Sequence, residues 1–378
     1  MQLEDRGLIF DAAQQPPEAR VNAFTSVARL KSGTLIAGHQ SGTAKHSVDA
    51  TLRLDRSTDG GRTWAPIPYR FATSLEGTPG SLSPGAIVEL PGGRLLLAGT
   101  WFDRSDPDRP LFDPETQGLL HCRLVMATSG DGGTTWSPWK IISTPGLTGC
   151  AATGPLLRWS DGTIVFGFES YKEFDEPGPS RHAAWLTISR DGGETFPDLH
   201  LVAQHPDHAL FYWDQRICAG TNPGEYTALF WTHDLAQQKD LHVHLKHGSL
   251  HDKGHPFPRI RETTIRGQIG APLWLDDGRL LAFVVDRHHP GTMTLWSSRD
   301  RGQTWPDDEK LIIHVHAERA ALTQQGTKVD FNEYWDDMLK WSFGHPSLVD
   351  LEDGRVLCVF YAGVPGRLSI HWARVRVR

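Results

Sequence analysis

The most regular feature of the chain is a pair of apolar stretches separated by a short polar turn. β-Branched, leucine and aromatic residues dominate each stretch, and the turn carries glycine. Long windows with the 3.6-residue period of an amphipathic helix are lacking, so we predict an all-β fold. The pattern is typical of a β-hairpin. It occurs six times, as TSVARLKSGTLIAG, PGAIVELPGGRLLLAG, GPLLRWSDGTIVFG, CAGTNPGEYTALFW, APLWLDDGRLLAFV and PSLVDLEDGRVLCVF.

A second repeated phrase, called here the aspartate turn, interleaves with the hairpins. It combines an aspartate, a glycine two residues later and an aromatic residue three further on. The carboxylate can accept hydrogen bonds from turn amides, the glycine takes a positive φ, and the ring is buried between sheets. We therefore predict a structural role for these residues, not a catalytic one. The copies are STDGGRTW (57–64), SGDGGTTW (129–136), SRDGGETF (189–196), SRDRGQTW (298–305) and a worn LHDKGHPF (250–257).

The two repeats together predict the architecture. Aspartate turns recur at intervals of about 48 to 72 residues, a range typical of propeller blades or solenoids. Six hairpins with five aspartate turns leave one blade incomplete, and we predict that LSIHWARVRV supplies its third strand and RGLIF its fourth. Residues 1–378 should form a single domain, a six-bladed β-propeller of four-stranded antiparallel blades. Joining the N- and C-terminal strands closes the ring and removes free sheet edges.

Strand direction predicts which loops carry function. Within a blade, the glycine turn joins the first strand to the second, and the aspartate turn joins the third to the fourth. Because antiparallel strands alternate in direction, both turns lie on one face of the ring. Functional side chains should then gather on the other face, at the starts of first strands and the ends of second strands. Carboxylates, imidazoles, arginines and tryptophans converge there, which suits a polar, ring-shaped ligand such as a sugar.

Composition narrows the range of partners and compartments. The chain has a formal net charge of -7 and no basic stripe, so no nucleic-acid partner is expected. Its four cysteines lack C-x-x-C spacing, and no apolar run approaches membrane-spanning length, so no membrane partner is expected. The N-terminal segment MQLEDRGLIFDAAQQ does not read as a signal peptide. We expect a cytoplasmic protein, or a secreted or periplasmic one if a leader was removed.

The aspartate turns and the six hairpins resemble the sialidase (neuraminidase) superfamily. The resemblance covers essentially the whole chain and is specific for the fold more than for the reaction. It implies a six-bladed propeller. In that family, terminal sialic acids are usually cleaved with retention, by three arginines on the substrate carboxylate, a tyrosine nucleophile assisted by glutamate, and an aspartate acid/base.

Several family positions on the later blades hold other residues in this chain. In blade six, the tyrosine position is occupied by His345, within HPSLVDLEDG. In blade four, the assisting glutamate aligns approximately with Asp214, and the second arginine falls near His233. The third arginine position falls on Pro290, with Arg287 close by.

The first blade departs from the family in the same way. The first arginine, expected nine residues before the turn position Ser32, falls on Ala23. The acid/base aspartate belongs to the loop KHSVDATLRLDRS, which offers His46 or Asp49. The resemblance therefore implies the sialidase fold with a non-standard active site, and we do not expect ordinary sialidase activity.

The residues converging on the predicted face favour a carbohydrate-active enzyme, an exo-glycosidase for a terminal sugar, with acidic sugars among the candidates. The expected partner is a glycan or oligosaccharide. His46 or Asp49 would protonate the leaving oxygen, with Asp214 or Glu169 as the opposing carboxylate. The predicted catalytic residues are His345, Asp214, His46, Asp49 and Glu169. The predicted substrate-binding residues are Arg20, His39, Trp101, Trp213, Arg216, His233, Arg266, Gln268, Arg287, Tyr334 and Tyr361.

Two other functions fit the same residues. A lyase-like β-elimination from a uronate polymer would use His345 with Tyr361 or Tyr334, whereas a glycan-binding propeller would need no chemistry. No cofactor is predicted, and a divalent metal at the inner histidines is a weaker alternative. The histidines of LHVHLKHG (241–248) look like a metal motif, but we interpret them as part of a solvated strand.

Overall fold

The protein is built from β-strands and short turns. A computed structural model describes residues 1–252, 260–288, 290–316, 338 and 340–377. These residues form 25 strands, numbered in chain order, and four 3-10 turns at Ala12–Gln14, Pro17–Ala19, Pro91–Gly93 and Asp307–Glu309. Within the described ranges, the helical segments are too short or too polar to cross a membrane. The predicted all-β class is confirmed, whereas the predicted site residue Tyr334 lies outside the described residues.

The two ends of the chain contribute to one eight-stranded sheet. Its strands are β1 Gln2–Phe10, β2 Val21–Arg29, β3 Leu35–Gly42, β4 Thr51–Ser57, β5 Ala65–Ile67, β23 Phe343–Asp350, β24 Arg355–Val364 and β25 Arg367–Arg376. The order is β23-β24-β25-β2-β3-β4-β5, with β1 also paired to β25.

The middle of the chain forms four further sheets, each from consecutive strands. The first contains β6 Gly80–Glu89, β7 Leu95–Asp103, β8 Cys122–Ser129 and β9 Lys140–Ile142. The second contains β10 Ala151–Arg158, β11 Ile164–Ser170, β12 Ala183–Ser189 and β13 Asp198–Ala203. The third contains β14 Leu210–Ala219, β15 Glu225–Asp234, β16 Lys239–Asp240, β17 His244–Ser249 and β18 Ile260–Glu262. The fourth contains β19 Gly270–Trp274, β20 Leu280–Asp286, β21 Gly291–Ser298 and β22 Leu311–His316.

The pairing of β1 with β25 joins the N-terminal segment to the C-terminal one. Gln2 lies opposite Arg376 and Phe10 opposite Ile370, in antiparallel register. The predicted pairing of RGLIF with LSIHWARVRV is therefore confirmed. Within the same sheet, β2 meets β25 at a parallel pair, Val21 with Leu368. That pair links the four-stranded unit of β23, β24, β25 and β1 to the unit β2–β5.

The aspartate turns fold as the sequence predicts. In the first copy, Asp59 Oδ1 accepts hydrogen bonds from the backbone nitrogens of Arg62 and Thr63, both at 3.0 Å, while Ser57 Oγ donates to the same oxygen at 2.8 Å. The Trp64 indole donates to the carbonyl of Gly61 at 3.0 Å. In the degenerate copy at 250–257, Asp252 accepts a hydrogen bond from Ser249 N at 3.1 Å. Residues 253–257 of that copy lie outside the described residues.

Apolar side chains fill the spaces between neighbouring sheets. One core cluster joins Ile36 and Leu54 to Leu97, Val125 and Trp136 of the next sheet. Around the molecule, β2 contacts β6, β6 contacts β10, β10 contacts β14, β14 contacts β19, β19 contacts β23, and β23 contacts β2. These six strands, called here the first strands, therefore surround a common space.

Bulges interrupt five of the first strands near their starts. Register shifts occur in β2, β6, β10, β14 and β23. Three of these bulges hold a non-glycine residue at positive φ: Phe24 at 55°, Asp214 at 49° and His345 at 54°. A bulge turns a side chain out of the regular alternation, and positive φ is costly for such residues and concentrates at functional sites. The bulges therefore aim these side chains into the shared space.

Candidate active site

The first strands line a cavity of about 540 Å³, called here the axial cavity. Residues near the strand starts line one end, including Asp214, Arg216 and His345, whereas Arg29 and Arg158 from the strand ends line the other. Carboxylates, cations and aromatic rings gather at the first end, which is the face that strand direction predicts for function. Pockets of this size bury most of a small ligand.

Asp214 lines this end of the cavity from the bulge of β14. Its side chain is 27% exposed, and its Oδ1 lies 3.5 Å from Nη2 of Arg216. Burial raises the pKa of Asp214 to about 6; the nearby charge of Glu169 adds to the rise, and Arg216 opposes it. About half of the Asp214 carboxyls therefore carry a proton near pH 6, which suits a general acid.

Two hydrogen-bond donors and a neighbouring imidazole surround the carboxylate of Glu169 at the end of β11. The Tyr171 hydroxyl donates to Oε2 at 2.6 Å, and Gln215 N donates to Oε1 at 3.1 Å. Nε2 of His182 lies 3.2 Å from Oε2, while its Nδ1 accepts from Tyr212 N at 3.4 Å. Because Nδ1 accepts a hydrogen bond, Nε2 carries the ring proton of His182. Glu169 is thus held in one orientation on the cavity wall.

Arg216 connects the carboxylate of Asp214 to the imidazole of His345. Its Nη2 lies 2.5 Å from Nε2 of His345, whose Nδ1 lies 3.1 Å from the carbonyl oxygen of Thr25. Arginine only donates, so Nε2 accepts and Nδ1 carries the proton. Burial, together with the charge of Arg216, lowers the pKa of His345 well below its ordinary value. His345 is therefore a neutral acceptor, and Arg216 occupies the lone pair that a general base would use.

His46 lies on the same wall, with its ring centroid 4.4 Å from that of Phe24. Burial, helped by the charges of Arg104 and Lys45, lowers the pKa of His46 to about 3. The imidazole is therefore neutral near pH 7. This charge state does not suit the predicted role of donating a proton to a leaving group.

A cation and two aromatic rings form the next part of the wall. The guanidinium of Arg287 lies 4.1 Å from the centroid of the Trp341 ring, in cation–π geometry. The guanidinium of Arg287 is close enough to the Tyr361 hydroxyl to oppose the rise of its pKa, and its Nη1 donates to Oε1 of Gln268 at 2.6 Å. Arg287, Trp341 and Tyr361 all line the axial cavity. Burial raises the pKa of Tyr361, so its hydroxyl keeps its proton.

A buried carboxylate, Asp240, lies behind this wall. Its Oδ1 accepts from Trp231 Nε1 at 2.8 Å and lies 3.1 Å from His233 Nδ1, and its Oδ2 accepts from Gln268 Nε2 at 2.9 Å. Burial raises the pKa of Asp240, but these hydrogen bonds outweigh burial and hold it below the ordinary value. The ring of Trp213, on the cavity wall, stacks on His233 with centroids 5.1 Å apart and planes at 12°.

Three predicted site residues lie outside the axial cavity in exposed or partly exposed positions. The exposed Asp49 accepts from the backbone nitrogen and hydroxyl of Thr43, at 3.2 and 2.8 Å, and the structure does not bring it to the cavity with Asp214. Arg20 is exposed, and its Nε donates to Gln15 O at 2.8 Å. Arg266 pairs with Asp286 at 2.7 Å and has a side chain 46% exposed.

Four other predicted substrate-binding residues are buried away from the cavity. His39 lies between sheets, 5.1 Å from the Phe10 ring, and burial lowers its pKa to about 3. Trp101 belongs to an apolar core cluster, and its indole donates to Thr73 O at 2.8 Å. His233 and Gln268 are fully buried behind the wall. The structure therefore does not place these four residues on the lining of the axial cavity, where the substrate contacts were predicted.

The structure also places at the site residues that are not among the predicted catalytic and substrate-binding residues. Tyr171 follows Glu169 by two positions and lines the cavity, and Trp231 lines it from β15. The Lys45 amine donates to backbone carbonyls of Met338 and Trp341. Lys45 lies in a loop without a periodic signal.

The histidines of the LHVHLKHG segment have other partners. His244 Nδ1 lies 2.9 Å from His242 O, and His247 lies 2.8 Å from the Thr227 hydroxyl and 2.9 Å from Arg301 O. In the described part of the chain, no group of three or more His, Cys, Asp and Glu side chains has an arrangement that could hold a metal ion.

Comparison with solved structures identifies the fold. No family model and no curated protein matches the chain. A protein of unknown function from Dyadobacter fermentans superposes with a TM-score of 0.72 at 19% identity, over 100% of this chain and 99% of that chain. The Hadza microbial sialidase Hz136 gives 0.68 at 16% identity, over 98% and 68%. An α-L-arabinanase from Penicillium chrysogenum, solved with arabinobiose, gives 0.67 at 14% identity, over 100% and 99%.

These likenesses show that the chain has a fold shared by sialidases and an arabinanase. The expected resemblance to the sialidase superfamily is thereby confirmed at the level of the fold. At such low identities the comparison speaks for the fold alone. The chemistry must be argued from the axial cavity.

Proposed function

We propose that this protein is a glycoside hydrolase that removes a terminal sugar, built on a closed six-bladed propeller. The architecture is supported by the contacts of each first strand with the next and of β23 with β2, and by the pairing of β1 with β25. The function is supported by the carboxylates at one end of the axial cavity. Its fold relatives include glycosidases with different sugar specificities.

Asp214 is the proposed general acid, and its environment is the observation that carries the proposal. Burial and the neighbouring Glu169 favour the protonated carboxyl, with the pKa raised to about 6. Its side chain remains 27% exposed, so a bound sugar can reach it. A protonated carboxyl beside a second carboxylate is the arrangement that glycoside hydrolysis needs, because the leaving oxygen must take a proton as its bond to the sugar breaks.

Glu169 is the proposed opposing carboxylate. Hydrogen bonds from Tyr171 and Gln215 fix its orientation within the wall. It would either attack the anomeric carbon or activate the attacking water, depending on its separation from the acid when the sugar is bound. Trp213 and Arg287, also on the wall, would contact the sugar ring and its polar groups.

The β-elimination alternative has less support. It needs His345 to remove a proton from carbon, but the Nε2 lone pair of His345 already accepts from Arg216 at 2.5 Å. Its other nitrogen is held by Thr25 O at 3.1 Å. A propeller that only binds glycans does not need a carboxyl with a raised pKa, whereas a catalytic acid does, so the raised pKa of Asp214 favours the enzyme.

A substrate panel tests the proposal. Purified protein is incubated with aryl glycosides, including α-L-arabinofuranoside, sialoside and glucuronide, and with arabinan and uronate polymers, each with and without chelator. The proposal predicts release of the aryl group or of single sugars, unaffected by chelator. An unsaturated uronate product would indicate the lyase, and binding by calorimetry without any product would indicate a lectin. Either outcome overturns the hydrolase.

A further inference from the structure

We propose that Asp240 is a positioning residue that sets the arrangement of the wall formed by Trp213, Trp231 and Arg287. This inference rests on the proposed function, since it concerns how the same cavity is held ready for a sugar. Asp240 comes from β16, a strand of 2 residues. Its partners are Trp231 and His233 on β15 of the same sheet and Gln268 in the segment before β19 of another sheet. Asp240 does not itself line the cavity.

On one side, Asp240 fixes two aromatic rings. Its Oδ1 accepts from the Trp231 indole at 2.8 Å and lies 3.1 Å from His233 Nδ1. The ring of Trp213 stacks on the imidazole ring of His233. The rings of Trp213 and Trp231 themselves meet edge to face, with centroids 4.8 Å apart. Both tryptophans line the cavity, so a single carboxylate oxygen orients the aromatic part of the wall.

On the other side, Asp240 fixes a cation through one intermediate. Its Oδ2 accepts from Gln268 Nε2 at 2.9 Å, and Gln268 Oε1 accepts from Arg287 Nη1 at 2.6 Å. A carboxylate can only accept and a guanidinium can only donate. The amide of Gln268 therefore has only one orientation that satisfies both neighbours, with its NH2 group on Asp240 and its oxygen on Arg287. The carboxylate of Asp240 fixes this orientation.

This one-way order of donors and acceptors means that an amide cannot replace the carboxylate of Asp240. If the new amide of Asp240→Asn points its oxygen at Trp231 and His233, its NH2 faces the NH2 of Gln268. If Gln268 then flips, its NH2 faces the guanidinium of Arg287. If the new amide itself flips, its NH2 faces the Trp231 indole, which only donates. Each arrangement leaves a donor against a donor in a buried site, which is costly.

Asp240→Asn tests the proposal against a matched control. Asp234→Asn changes the same residue type in the same β15–β16 hairpin, where Asp234 lies opposite Lys239 and Asp240 opposite His233. The Asp234 carboxylate accepts from Gln237 N and Nε2, at 2.9 and 2.7 Å, and does not line the cavity. On the aryl glycoside that wild type hydrolyses fastest, kcat/KM of Asp240→Asn should fall by about tenfold or more, mainly through KM. Asp234→Asn should match wild type.

Gln268→Met provides a second route if Asp240→Asn does not fold. It removes the link to Arg287 and keeps Asp240 bonded to Trp231 and His233. KM should rise here as well. The double variant should lose less than the product of the two single losses, since both break one chain of bonds. Full additivity, or a lowered Tm with unchanged KM in both single variants, would mean that Asp240 only supports the fold.

A crystal structure of Asp240→Asn separates this inference from the proposed function. The account predicts displaced Gln268 and Arg287 side chains and a rotated Trp213 or Trp231 ring. If these side chains keep their wild-type positions, the positioning role is overturned, whatever the activity. If wild type hydrolyses no glycoside in the panel, the proposed function fails, and the structure still decides the role of Asp240.

Discussion

Nη2 of Arg216 lies 2.5 Å from Nε2 of His345 at the mouth of the axial cavity. Since Nδ1 of the same imidazole faces Thr25 O at 3.1 Å, both ring nitrogens of His345 are engaged. The imidazole replaces the tyrosine that the sialidase resemblance leads one to expect at this position. The imidazole of His345 supports the guanidinium of Arg216. The same Nη2 atom of Arg216 lies 3.5 Å from Oδ1 of Asp214.

His345→Ala should lower kcat/KM without removing the midpoint of its pH profile. Loss of the imidazole frees Arg216 to move, so we expect a fall of about tenfold to a hundredfold. A midpoint should remain in the pH profile, because His345 has a pKa far below neutrality and does not titrate there. Measurement of kcat/KM between about pH 4 and pH 9 checks this. A midpoint that disappears in the variant would instead make His345 the titrating group.

The pH profile of the wild-type enzyme should fall on its alkaline side. The pKa of Asp214 is raised by burial to about 6, so its proton is present below that pH and lost above it. A general acid is active only while protonated, so kcat/KM should decline as the pH rises above about 6. Asp214→Asn should show no such midpoint in its residual activity. An activity that rises through the same pH range would assign Asp214 as a base.

Stability should respond to a different carboxyl, Asp55. Burial raises its pKa to about 7, and His39, 3.7 Å away, has a pKa lowered to about 3, so the pair is uncharged at mildly acidic pH. The raised pKa means that the folded state prefers the neutral acid. This contribution is present below the ordinary pKa of 3.8 and is lost as the pH rises through about 7.

Asp55→Asn should therefore have a higher Tm than wild type at about pH 8 and nearly the same Tm at about pH 4. The amide keeps the size of the side chain and removes the charge that burial penalises. Thermal unfolding followed by circular dichroism at both pH values provides the measurement. A Tm below wild type at the higher pH would show that an ionised Asp55 is stabilising.

The aspartate turns should matter for stability and not for chemistry. Trp136 is 7% exposed and belongs to the core between two sheets. Trp136→Ala should lower the free energy of unfolding by about 3 to 5 kcal/mol, the usual cost of emptying an aromatic core site. Denaturant titration measures it. The kcat/KM of the folded variant should remain that of wild type, and a selective loss of activity at unchanged stability would contradict the structural role.

Most of the fold could be predicted from short repeated patterns in the sequence. Hairpins and aspartate turns repeat because each unit solves the same packing problem, so their residues recur in phrase and spacing. Even the distant pairing of β1 with β25 could be predicted, since one unit otherwise lacked a strand. The residues of the site were harder to predict from the sequence. Side chains alternate in direction along a strand, so a shift of one residue decides whether a polar side chain near the strand end faces the central axis or the neighbouring sheet. His39 and Trp101 face the sheets.

Topology did bring Asp214, Arg216, Glu169 and His345 to one cavity, from the first strands β14 and β23 and the second strand β11. Nothing in the sequence singles out Asp240, which belongs to a strand of 2 residues outside every repeated phrase. Its importance comes from partners on β15 and in the segment before β19, which are distant from each other in the sequence. Such long-range hydrogen bonds leave no periodic trace in the chain.

The central claim is that Asp214 donates the proton in glycoside cleavage. The most direct measurement compares kcat/KM of wild type, Asp214→Asn and Asp49→Asn on the best aryl glycoside, with Tm measured for each. Asp49 is the matched control, a carboxylate outside the cavity bound to Thr43. The account predicts a loss of about a hundredfold or more for Asp214→Asn at unchanged or higher Tm, and wild-type activity for Asp49→Asn. Asp214→Asn activity within about twofold of wild type would contradict it.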